Sequence, residues 1–395
     1  MVSASKNEHH DGPVRLGMVG GGQGAFIGGV HRMAARLDGK YQLVAGALSS
    51  DPGRAHASAK ELGIAPERSY GSFAEMAAAE AARPDGIEAV AIVTPNHMHW
   101  PAAKAFIEAG IHVICDKPLT STLEDAEALA AAAATSGKLF VLTHNYTGYP
   151  LIRQARAMVS EGLLGEIRLV QAEYVQDWLS ERIEETGQKQ AAWRTDPARS
   201  GAGGAIGDIG THAYNLGCFV SCLEAQELAA DLDAFVEGRA LDDNAHVMLR
   251  YKPSKPGGRS AKGLLWASQV APGNENALTL RVYGDKGGLD WHQENPNQLW
   301  FTPLGQAKRL ITRGGAGANE AAAQVTRIPS GHPEGYLEAF ATLYSETADA
   351  IRAARSGATA KPPALVPGVE DGLAGMRFVA ACVNSSRGNA AWVTV

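Results

Sequence analysis

The sequence predicts an α/β protein of two domains: an N-terminal domain with a parallel sheet, then a larger α+β domain with a large open, mainly antiparallel sheet. At 395 residues the chain is longer than one ordinary hydrophobic core requires. Up to residue 145, short apolar segments alternate with helical patterns, as in a parallel sheet covered on both faces. From residue 146, strand-like segments follow one another through short connections, which favours antiparallel neighbours.

In the first domain, predicted at residues 13–145, the apolar segments that indicate strands are residues 14–19, 41–48, 89–95, 112–115 and 139–144. Helical patterns lie between them, including one that starts at Asp51-Pro52 and stops at Gly63. Ligands of such sheets bind at the carboxyl ends of the strands. We therefore look for functional residues just after each predicted strand.

The second domain is predicted at residues 146–395. Its strands are expected at residues 167–175, 228–236, 245–251, 263–270, 277–284 and 299–304, and its helices at 152–161, 208–219, 334–355 and 369–385. The glycine-rich segment 312–333 is long for a loop. Loops of this length are usually functional or disordered, and we favour a substrate lid or an oligomer arm.

Composition and charge argue against several classes of protein. Hydrophobic residues make up 45% of the chain and charged residues 20%, the usual balance of a globular protein. The net charge is −6, and the sequence contains no basic stripe interleaved with aromatics. Nucleic acid is therefore not expected as a partner. The polar start MVSASKNEHHDG lacks the apolar segment of a signal peptide, and no 18-residue apolar stretch offers a membrane span. We expect a cytoplasmic protein with no membrane partner and a disordered tail at residues 1–12.

The four cysteines, Cys115, Cys218, Cys222 and Cys382, have no CxxC spacing and are expected to be reduced, buried thiols. Cys218 and Cys222 lie four residues apart on one predicted helix face, which is also the spacing of half a metal site. No second Cys or His pair lies near them in sequence. Core packing is therefore the favoured interpretation, and no metal is expected.

A glycine-rich turn, GGGQG at residues 20–24, follows the first strand and opens the first helix. Glycines let the backbone approach a pyrophosphate at a helix N-terminus, where N–H groups and the helix dipole favour negative charge. The GxGxxG spacing of a dinucleotide site is nevertheless broken. Gly20 and Gly22 fit its first two positions, Ala25 stands at the third, and Gly28 comes three residues later. A tight structural turn is the alternative interpretation.

The end of the second strand bears on the choice between NAD and NADP, because an acidic residue there normally contacts the ribose 2′-hydroxyl of NAD. This place holds Ser49 and Ser50, with Asp51 just beyond and Arg54 one helical turn later. Serine and arginine suit a 2′-phosphate, so the sequence leaves NADP open beside NAD. A serine N-cap with an exposed arginine explains the same residues equally well.

The third strand ends in VTPNHMHWP at residues 93–101, and Thr94, Pro95 and Asn96 are expected along a bound dinucleotide. His97 and His99 form an HxH pattern, but no carboxylate or third histidine lies close in sequence. Histidines at a helix start are therefore favoured over zinc ligands.

Titratable residues mark two further segments. The strand HVIC ends in Asp116 and Lys117 against Pro118, which biases the lysine toward extended geometry and aims it into the cleft between the domains. Asp208 and His212 are four residues apart and share one face of a predicted helix. A satisfied polar contact is the alternative interpretation of that pair.

Together these segments resemble the glucose-fructose oxidoreductase, inositol dehydrogenase and MocA family (Gfo/Idh/MocA). The resemblance spans roughly residues 14–395 and rests on the glycine turn, VTPNHMH, CDKP, AAWRTDP and GDIGTH. Asp116 stands where the family usually has Glu. The resemblance implies a Rossmann dinucleotide-binding domain, then a substrate-binding and oligomerisation domain, and a nicotinamide oxidoreductase acting on sugars or polyols.

By matching position, the resemblance implies that Lys117, Asp208 and His212 are catalytic. In alcohol oxidation a neutral imidazole of His212 is a suitable base, Asp208 orients it, and the ammonium of Lys117 stabilises developing alkoxide charge. The expected cofactor-binding residues are Gly20, Gly22, Gln23, Gly24, Ile27, Ser49, Ser50, Arg54, Thr94, Pro95, Asn96, His99, Asp116, Lys117, Asn145, Trp193 and Arg194. The expected substrate-binding residues are Lys117, Tyr146, Tyr149, Asp208, His212 and His332.

The leading functional hypothesis is an NAD(P)-dependent dehydrogenase that oxidises a secondary hydroxyl of a cyclic polyol or sugar, such as an inositol, a pyranoside or levoglucosan. One alternative is a glycoside hydrolase that retains NAD and works by transient oxidation and elimination. Another is a non-catalytic dinucleotide-binding regulator, whose mark would be loss of the lysine or the histidine. The outer face of a large open sheet also predicts a homodimer or homotetramer.

Overall fold

The computed structural model describes residues 12–255, 257–355 and 359–395, and the chain divides into two compact units. The first unit takes in the chain up to Thr120, Glu124–Asn145 and Leu337–Gly372, and the second takes in Ser121–Leu123, Tyr146–Tyr336 and Leu373–Val395. The division after Asn145 coincides with the expected boundary, whereas residues 337–372, expected in the second domain, belong to the first unit. Apart from Gly12, the expected disordered tail at residues 1–12 lies outside the described residues.

The first unit contains a parallel sheet, as the sequence predicts. Its strands are β1 (Val14–Gly20), β2 (Tyr41–Ala47), β3 (Ala89–Val93), β4 (His112–Cys115) and β5 (Phe140–Leu142). The helices between them are α1 (Phe26–Leu37), α2 (Pro52–Glu61), α3 (Phe73–Ala81), α4 (His99–Glu108) and α5 (Leu123–Ser136). Within the described residues the strand order is β2-β1-β3-β4-β5. Every residue of β3 and β4 is buried, which explains their continuous apolar sequences.

The second unit contains a mixed, mostly antiparallel sheet. Its strands are β6 (Ile167–Val175), β7 (Ala225–Asp233), β8 (Asn244–Tyr251), β9 (Lys262–Ser268), β10 (Ala277–Gly284), β11 (Gly287–His292), β12 (Gln298–Pro303), β13 (Arg309–Thr312) and β14 (Val393–Thr394). In the described part of the chain their order is β13-β12-β11-β10-β6-β9-β8-β7-β14. Strands β6 and β9 pair in parallel, and the other pairs are antiparallel.

The remaining helices follow in the order α6 (Pro150–Ser160), α7 (Lys189–Arg194), α8 (Pro197–Ser200), α9 (Thr211–Ser221), α10 (Glu320–Ala323), α11 (Tyr336–Ala354) and α12 (Val369–Arg387). Helix α11 joins the first unit because its buried face packs on β2 and α1. The Tyr41 hydroxyl donates to the Tyr344 carbonyl at 2.9 Å, and the two rings meet edge to face. His31 of α1 bonds the Tyr344 hydroxyl through Nδ1 at 2.8 Å. Burial of each aromatic ring contributes about 1.5–3 kcal/mol.

The segment 312–333, expected to be a lid or an arm, contains α10 and is anchored at its base by a buried arginine. Arg313 donates to the carbonyl oxygens of Ile328, at 2.7 Å, and His332, and forms an ion pair with the buried Glu334 at 3.1 Å. These contacts tie both ends of the segment to one side chain. The lid hypothesis stays a prediction.

The structure corrects the prediction for two cysteines. Helix α9 ends at Ser221, and Cys222 follows it in the left-handed conformation with an exposed side chain, while Cys218 is partly exposed. The two are therefore not neighbours on one buried helix face. Cys115 and Cys382 are buried free thiols. No group of three or more metal-ligating side chains occurs among the described residues, and no helix there is long and apolar enough to cross a membrane.

Candidate active site

The glycine turn after β1 allows a close approach of backbone to backbone. Gly21 has a φ of +73°, and a Cβ built on Gly28 would lie 2.3 Å from the Gly21 Cα atom. Gly28 therefore lets the first turn of α1 pack directly against the glycine turn, although its position does not fit the GxGxxG spacing. A side chain larger than hydrogen at either residue is incompatible with this packing.

The N-terminus of α1 is left open toward a ligand. The N-cap residue, Ala25, has no side-chain acceptor for the first N–H groups of the helix, and Gly24 before it is exposed with a φ of +76°. Ile27 is partly exposed in the first turn. Gln23 faces elsewhere, since its backbone N–H donates to the Ser58 hydroxyl at 3.1 Å and its side chain donates to Glu61. This is the arrangement that binds a phosphate at a helix N-terminus.

The N-cap of α2 is Asp51 and not a serine, which corrects the alternative interpretation of this segment. The Asp51 carboxylate accepts the Arg54 backbone N–H at 2.7 Å, and the Ser49 hydroxyl accepts the N–H of Asp51 at 3.1 Å. Ser50 and Arg54 are exposed. Asp51, the acidic residue near the end of β2, therefore caps helix α2. The proposed influence of Ser49, Ser50 and Arg54 on the choice between NAD and NADP stays a prediction.

Two buried polar atoms at the carboxyl edge of the sheet lack a hydrogen-bond partner among the described residues. They are Oγ1 of Thr94, after β3, and Nδ2 of Asn145, after β5. A buried polar atom without a partner costs about 1–3 kcal/mol, so a ligand that bonds both atoms stabilises the unit. Asn96 is also buried beside this edge, and Pro95 is partly exposed. Together with the close-packed glycine turn, these polar atoms suit the binding of a dinucleotide at this edge of the sheet.

The segment after β4 is held from two sides. Oδ1 of Asp116 accepts the Lys117 backbone N–H at 2.8 Å and the Thr143 hydroxyl at 3.0 Å. His99, fully buried at the start of α4, bonds the Pro118 carbonyl through Nδ1 at 2.8 Å and the Thr94 carbonyl through Nε2 at 2.9 Å. Burial lowers the pKa of His99, and the carboxylate of Asp116 opposes this by raising it.

The charge of Lys117 affects the pKa of His144, which lies just after the neighbouring strand β5. Burial first, and Lys117 second, lower the pKa of His144 to about 3, so this histidine stays neutral. In the HxH pattern, His97 is exposed while His99 is buried and bonded to carbonyls. The two rings therefore do not form a metal site.

In the second unit, Asp208 lies in a π-helical turn, Ile206–Gly210, that leads directly into α9 and His212. The partly buried carboxylate of Asp242 fixes the start of this turn by accepting the backbone N–H groups of Gly204 at 2.6 Å and Ile206 at 2.8 Å. Such single π-turns are frequent at functional sites. His212 is 7% exposed.

The carboxylate of Asp208 is held by two donors on one oxygen. Arg194 Nε and Gln269 Nε2 both donate to Oδ2, at 3.1 and 3.0 Å. The Arg194 guanidinium lies 4.3 Å from the ring centroid of Trp193 and 5.9 Å from that of Trp178. The structure thus brings Arg194 and Trp193, expected as cofactor residues, together with Asp208. Their role toward the cofactor stays a prediction.

Aromatic rings surround His212. Its ring centroid lies 4.8 Å from that of Tyr146, edge to face, and 6.0 Å from that of Tyr174. The hydroxyls of Tyr146 and Tyr174 are 2.6 Å apart, and Tyr174 donates to the Asn276 side chain at 2.8 Å. Burial raises the pKa of both tyrosines, so they remain neutral donors. Tyr149 stacks parallel to Tyr146.

Sequence reasoning missed several polar residues of this cluster, and it included one residue that lies apart. The missed side chains share positions in the second sheet or just after its strands, and they are Tyr174, Gln176, Trp178, Gln269, Asn276 and Gln293. His332 is exposed, and its imidazole makes no hydrogen bond or ring contact with the cluster among the described residues. A signal that could have found two of them is a polar residue directly after a buried strand end, as in Gln176 after β6 and Gln269 after β9.

Both parts of the chain match family models. Residues 14–154 match the oxidoreductase family with an NAD-binding Rossmann fold, and residues 152–290 match the GFO/IDH/MocA C-terminal domain. A solved oxidoreductase from Sinorhizobium meliloti is 61% identical, with a TM-score of 0.87 over 96% of this chain and 99% of that one.

Two further relatives carry more specific names. An inositol dehydrogenase homologue from Azotobacter vinelandii, solved in complex with NAD⁺, is 38% identical with a TM-score of 0.91 over the whole of both chains. A levoglucosan dehydrogenase from Pseudarthrobacter phenanthrenivorans is 28% identical over 72% of this chain and 75% of its own. With the glycine turn and the Asp208–His212 pair, these matches show that the chain belongs to the GFO/IDH/MocA family and is an NAD(P)-dependent oxidoreductase with an NAD-binding Rossmann domain.

Proposed function

We propose that this oxidoreductase oxidises a secondary hydroxyl of a cyclic polyol, with inositols as the preferred class and anhydrosugars such as levoglucosan as the second. The observation that carries the proposal is the setting of His212 among the neutral phenols of Tyr146 and Tyr174, one helical turn after an Asp208 carboxylate that Arg194 and Gln269 hold in place. Phenol, amide and imidazole groups suit a ligand with many hydroxyls and no charge. A homologous structure, 38% identical, is described as a complex with NADH and myo-inositol, which supports the inositol class.

The residues proposed to hold the dinucleotide lie at the carboxyl edge of the first sheet. The N-terminus of α1 would bind the pyrophosphate, with Gly20 and Gly22 allowing the turn to pack closely against the protein and Gly24 leaving the backbone accessible. Thr94 and Asn145 would supply the buried polar atoms that the described residues leave without partners. When bound, the nicotinamide supplies the hydride acceptor.

Three side chains are proposed to act on the substrate hydroxyl. His212 takes the hydroxyl proton as general base, a role typically worth about 10²- to 10⁴-fold in rate. Asp208, fixed by Arg194 and Gln269, orients the imidazole or the substrate. The ammonium of Lys117 stabilises the negative charge that develops on the substrate oxygen.

The test is absorbance at 340 nm with NAD and NADP in parallel, against inositols, free sugars, glycosides and levoglucosan. We expect absorbance to rise with an inositol, and Lys117→Ala and His212→Gln to lower kcat by at least 10²-fold. Matched controls are Lys104→Ala, on the exposed side of α4, and His246→Gln, an exposed histidine of β8. Both controls should retain normal rates.

The outcome of this screen separates the competing activities. No absorbance change with any polyol, together with cleavage of a chromogenic glycoside, contradicts net dehydrogenation and favours the hydrolase that retains its cofactor. Activity with NADP above that with NAD supports a role for Ser49, Ser50 and Arg54 in cofactor choice. Full activity of Lys117→Ala would refute the proposed catalytic set.

We also propose that the protein forms a homo-oligomer through the outer face of the second sheet. Leu264 and Met248 are exposed and directly opposite each other on β9 and β8. On the same sheet, Arg281 pairs with Glu173 at 3.1 Å, so the surface carries both signs of charge beside apolar groups. Such a surface can complement a second copy of itself. Light scattering should show Leu264→Glu as a smaller species, while Leu304→Glu, an exposed leucine after β12, leaves the mass unchanged.

A further inference from the structure

We infer that His99 is a positioning residue that holds Lys117 in place by tying the end of β3 to the segment after β4, and that it is not a contact of the cofactor. The inference rests on the proposed role of Lys117. It differs from the expectation drawn from sequence, in which His99 was a cofactor-binding residue.

Both ring nitrogens of His99 are already engaged with the protein. Nδ1 is 2.8 Å from the carbonyl oxygen of Pro118, the residue directly after Lys117, and Nε2 is 2.9 Å from the carbonyl oxygen of Thr94. The residue is fully buried. A ring in this setting has no nitrogen left for a bound dinucleotide.

The two acceptors also determine what the ring must donate. A carbonyl oxygen only accepts, so a ring that makes both bonds is the imidazolium, and a neutral ring makes one of them. Burial lowers the pKa of His99, whereas the carboxylate of Asp116, at the end of β4, raises it, and His97 from the preceding turn lowers it. Whichever nitrogen carries the proton, both ring nitrogens of His99 face carbonyl oxygens of the protein.

A second contact holds the same segment from the other side. Asp116 Oδ1 accepts the Lys117 backbone N–H and the hydroxyl of Thr143, a residue that follows β5. The backbone at Lys117 is therefore tied to β5 through Asp116 and to β3 through His99. Loss of either tie lets the lysine move, and a displacement of about 1 Å at a catalytic group costs about 10²-fold in rate.

The test uses substitutions that retain one bond at a time. In His99→Asn the amide NH₂ lies near the Nδ1 position and keeps the bond to Pro118, while in His99→Gln it lies near the Nε2 position and keeps the bond to Thr94. We expect kcat to fall about 10- to 100-fold in His99→Gln and His99→Phe, and less than fivefold in His99→Asn. The affinity for NAD, measured by calorimetry, should change less than threefold in all three variants.

Thr143→Val provides a second route to the same result, because it removes the hydroxyl that bonds Asp116 with almost no change of volume. It should lower kcat and leave NAD affinity unchanged. The matched control is His112→Asn, at the opposite end of β4, where a buried histidine accepts the Leu139 backbone N–H and an amide oxygen can replace it. This control should lower the melting temperature without changing kcat.

Three results would overturn the inference: a tenfold loss of NAD affinity in the His99 variants, equal kcat in His99→Gln and the wild type, or better retention of kcat by Gln than by Asn. Its failure is distinct from failure of the proposed function. If Lys117→Ala is fully active, the lysine is not catalytic, whatever the His99 variants do. If Lys117→Ala is inactive while Thr143→Val and all His99 variants keep kcat, only the positioning role is wrong.

Discussion

Substitution of Arg194 by lysine tests whether the arginine acts on Asp208 or on the cofactor. Arg194 Nε donates to Asp208 Oδ2 at 3.1 Å, while its guanidinium stacks over Trp193 at 4.3 Å. Lysine keeps the charge but has neither the planar face for the indole nor a fork that reaches the carboxylate and Gln190 together. We expect Asp208 to lose its fixed orientation in Arg194→Lys.

The size of the effect follows from the two contacts. A charge-assisted hydrogen bond contributes about 1.5–3 kcal/mol, and the low end applies because both side chains are partly exposed. The cation–π contact adds about 0.5–1 kcal/mol, of which lysine recovers part. A net loss of about 2 kcal/mol in the transition state corresponds to roughly 30-fold in kcat/KM.

The assay is steady-state oxidation of the substrate identified in the absorbance screen, with NAD affinity measured separately by calorimetry. Arg199→Lys, at an exposed arginine of α8, is the matched control and should behave as the wild type. A kcat/KM within threefold of the wild type would refute the role assigned to Arg194. A tenfold weaker affinity for NAD at normal kcat would instead identify Arg194 as a cofactor contact.

Three further results are expected. Asp242→Asn should lower kcat/KM about tenfold, measured well below the melting temperature, because one of the two backbone N–H groups before Asp208 then faces an amide donor. Gly28→Ala should weaken NAD binding at least tenfold by calorimetry, whereas Gly29→Ala, whose Cβ would meet only the Arg32 side chain in ordinary contact at 4.0 Å, should not. Burial lowers the pKa of both His31 and His112 from 6.5 to about 4, so protons bind the unfolded chain preferentially and stability should fall as the pH drops from about 6.5 to 4. The free energy of unfolding should fall by about 1.4 kcal/mol per pH unit for each histidine. Thermal unfolding measured across this pH range should show a shallower fall for His112→Asn.

The first sheet could be predicted from sequence because its signals are local. The strand HVIC is apolar at every position, and its neighbours are separated from it by complete helical patterns. Strand β11, with the sequence GGLDWH, was missed because its two glycines are typical of a turn. It becomes a strand through its neighbours, since Leu289 pairs with Val282 of β10 and with Phe301 of β12.

The candidate active site was predictable where its residues are close in sequence. Asp208 and His212 are four residues apart, so one pattern indicated both. Gln269 lies 61 residues from Asp208, and Asn276 lies 102 residues from Tyr174, the residue whose hydroxyl it accepts. Nothing local distinguishes these amides from surface residues, because strand register and the fold of the whole sheet bring them together.

Asp116 shows how a departure from a family pattern acquires physical meaning in the structure. The family usually has glutamate at this position, and the aspartate side chain is one methylene group shorter. The structure gives the short side chain a different use, because its Oδ1 accepts the N–H of the next residue, Lys117, and the hydroxyl of Thr143. A carboxylate on one methylene group is the length that reaches a neighbouring backbone N–H. Asp116 therefore holds the backbone of Lys117, and Lys117, in our proposal, stabilises the negative charge that develops on the substrate oxygen.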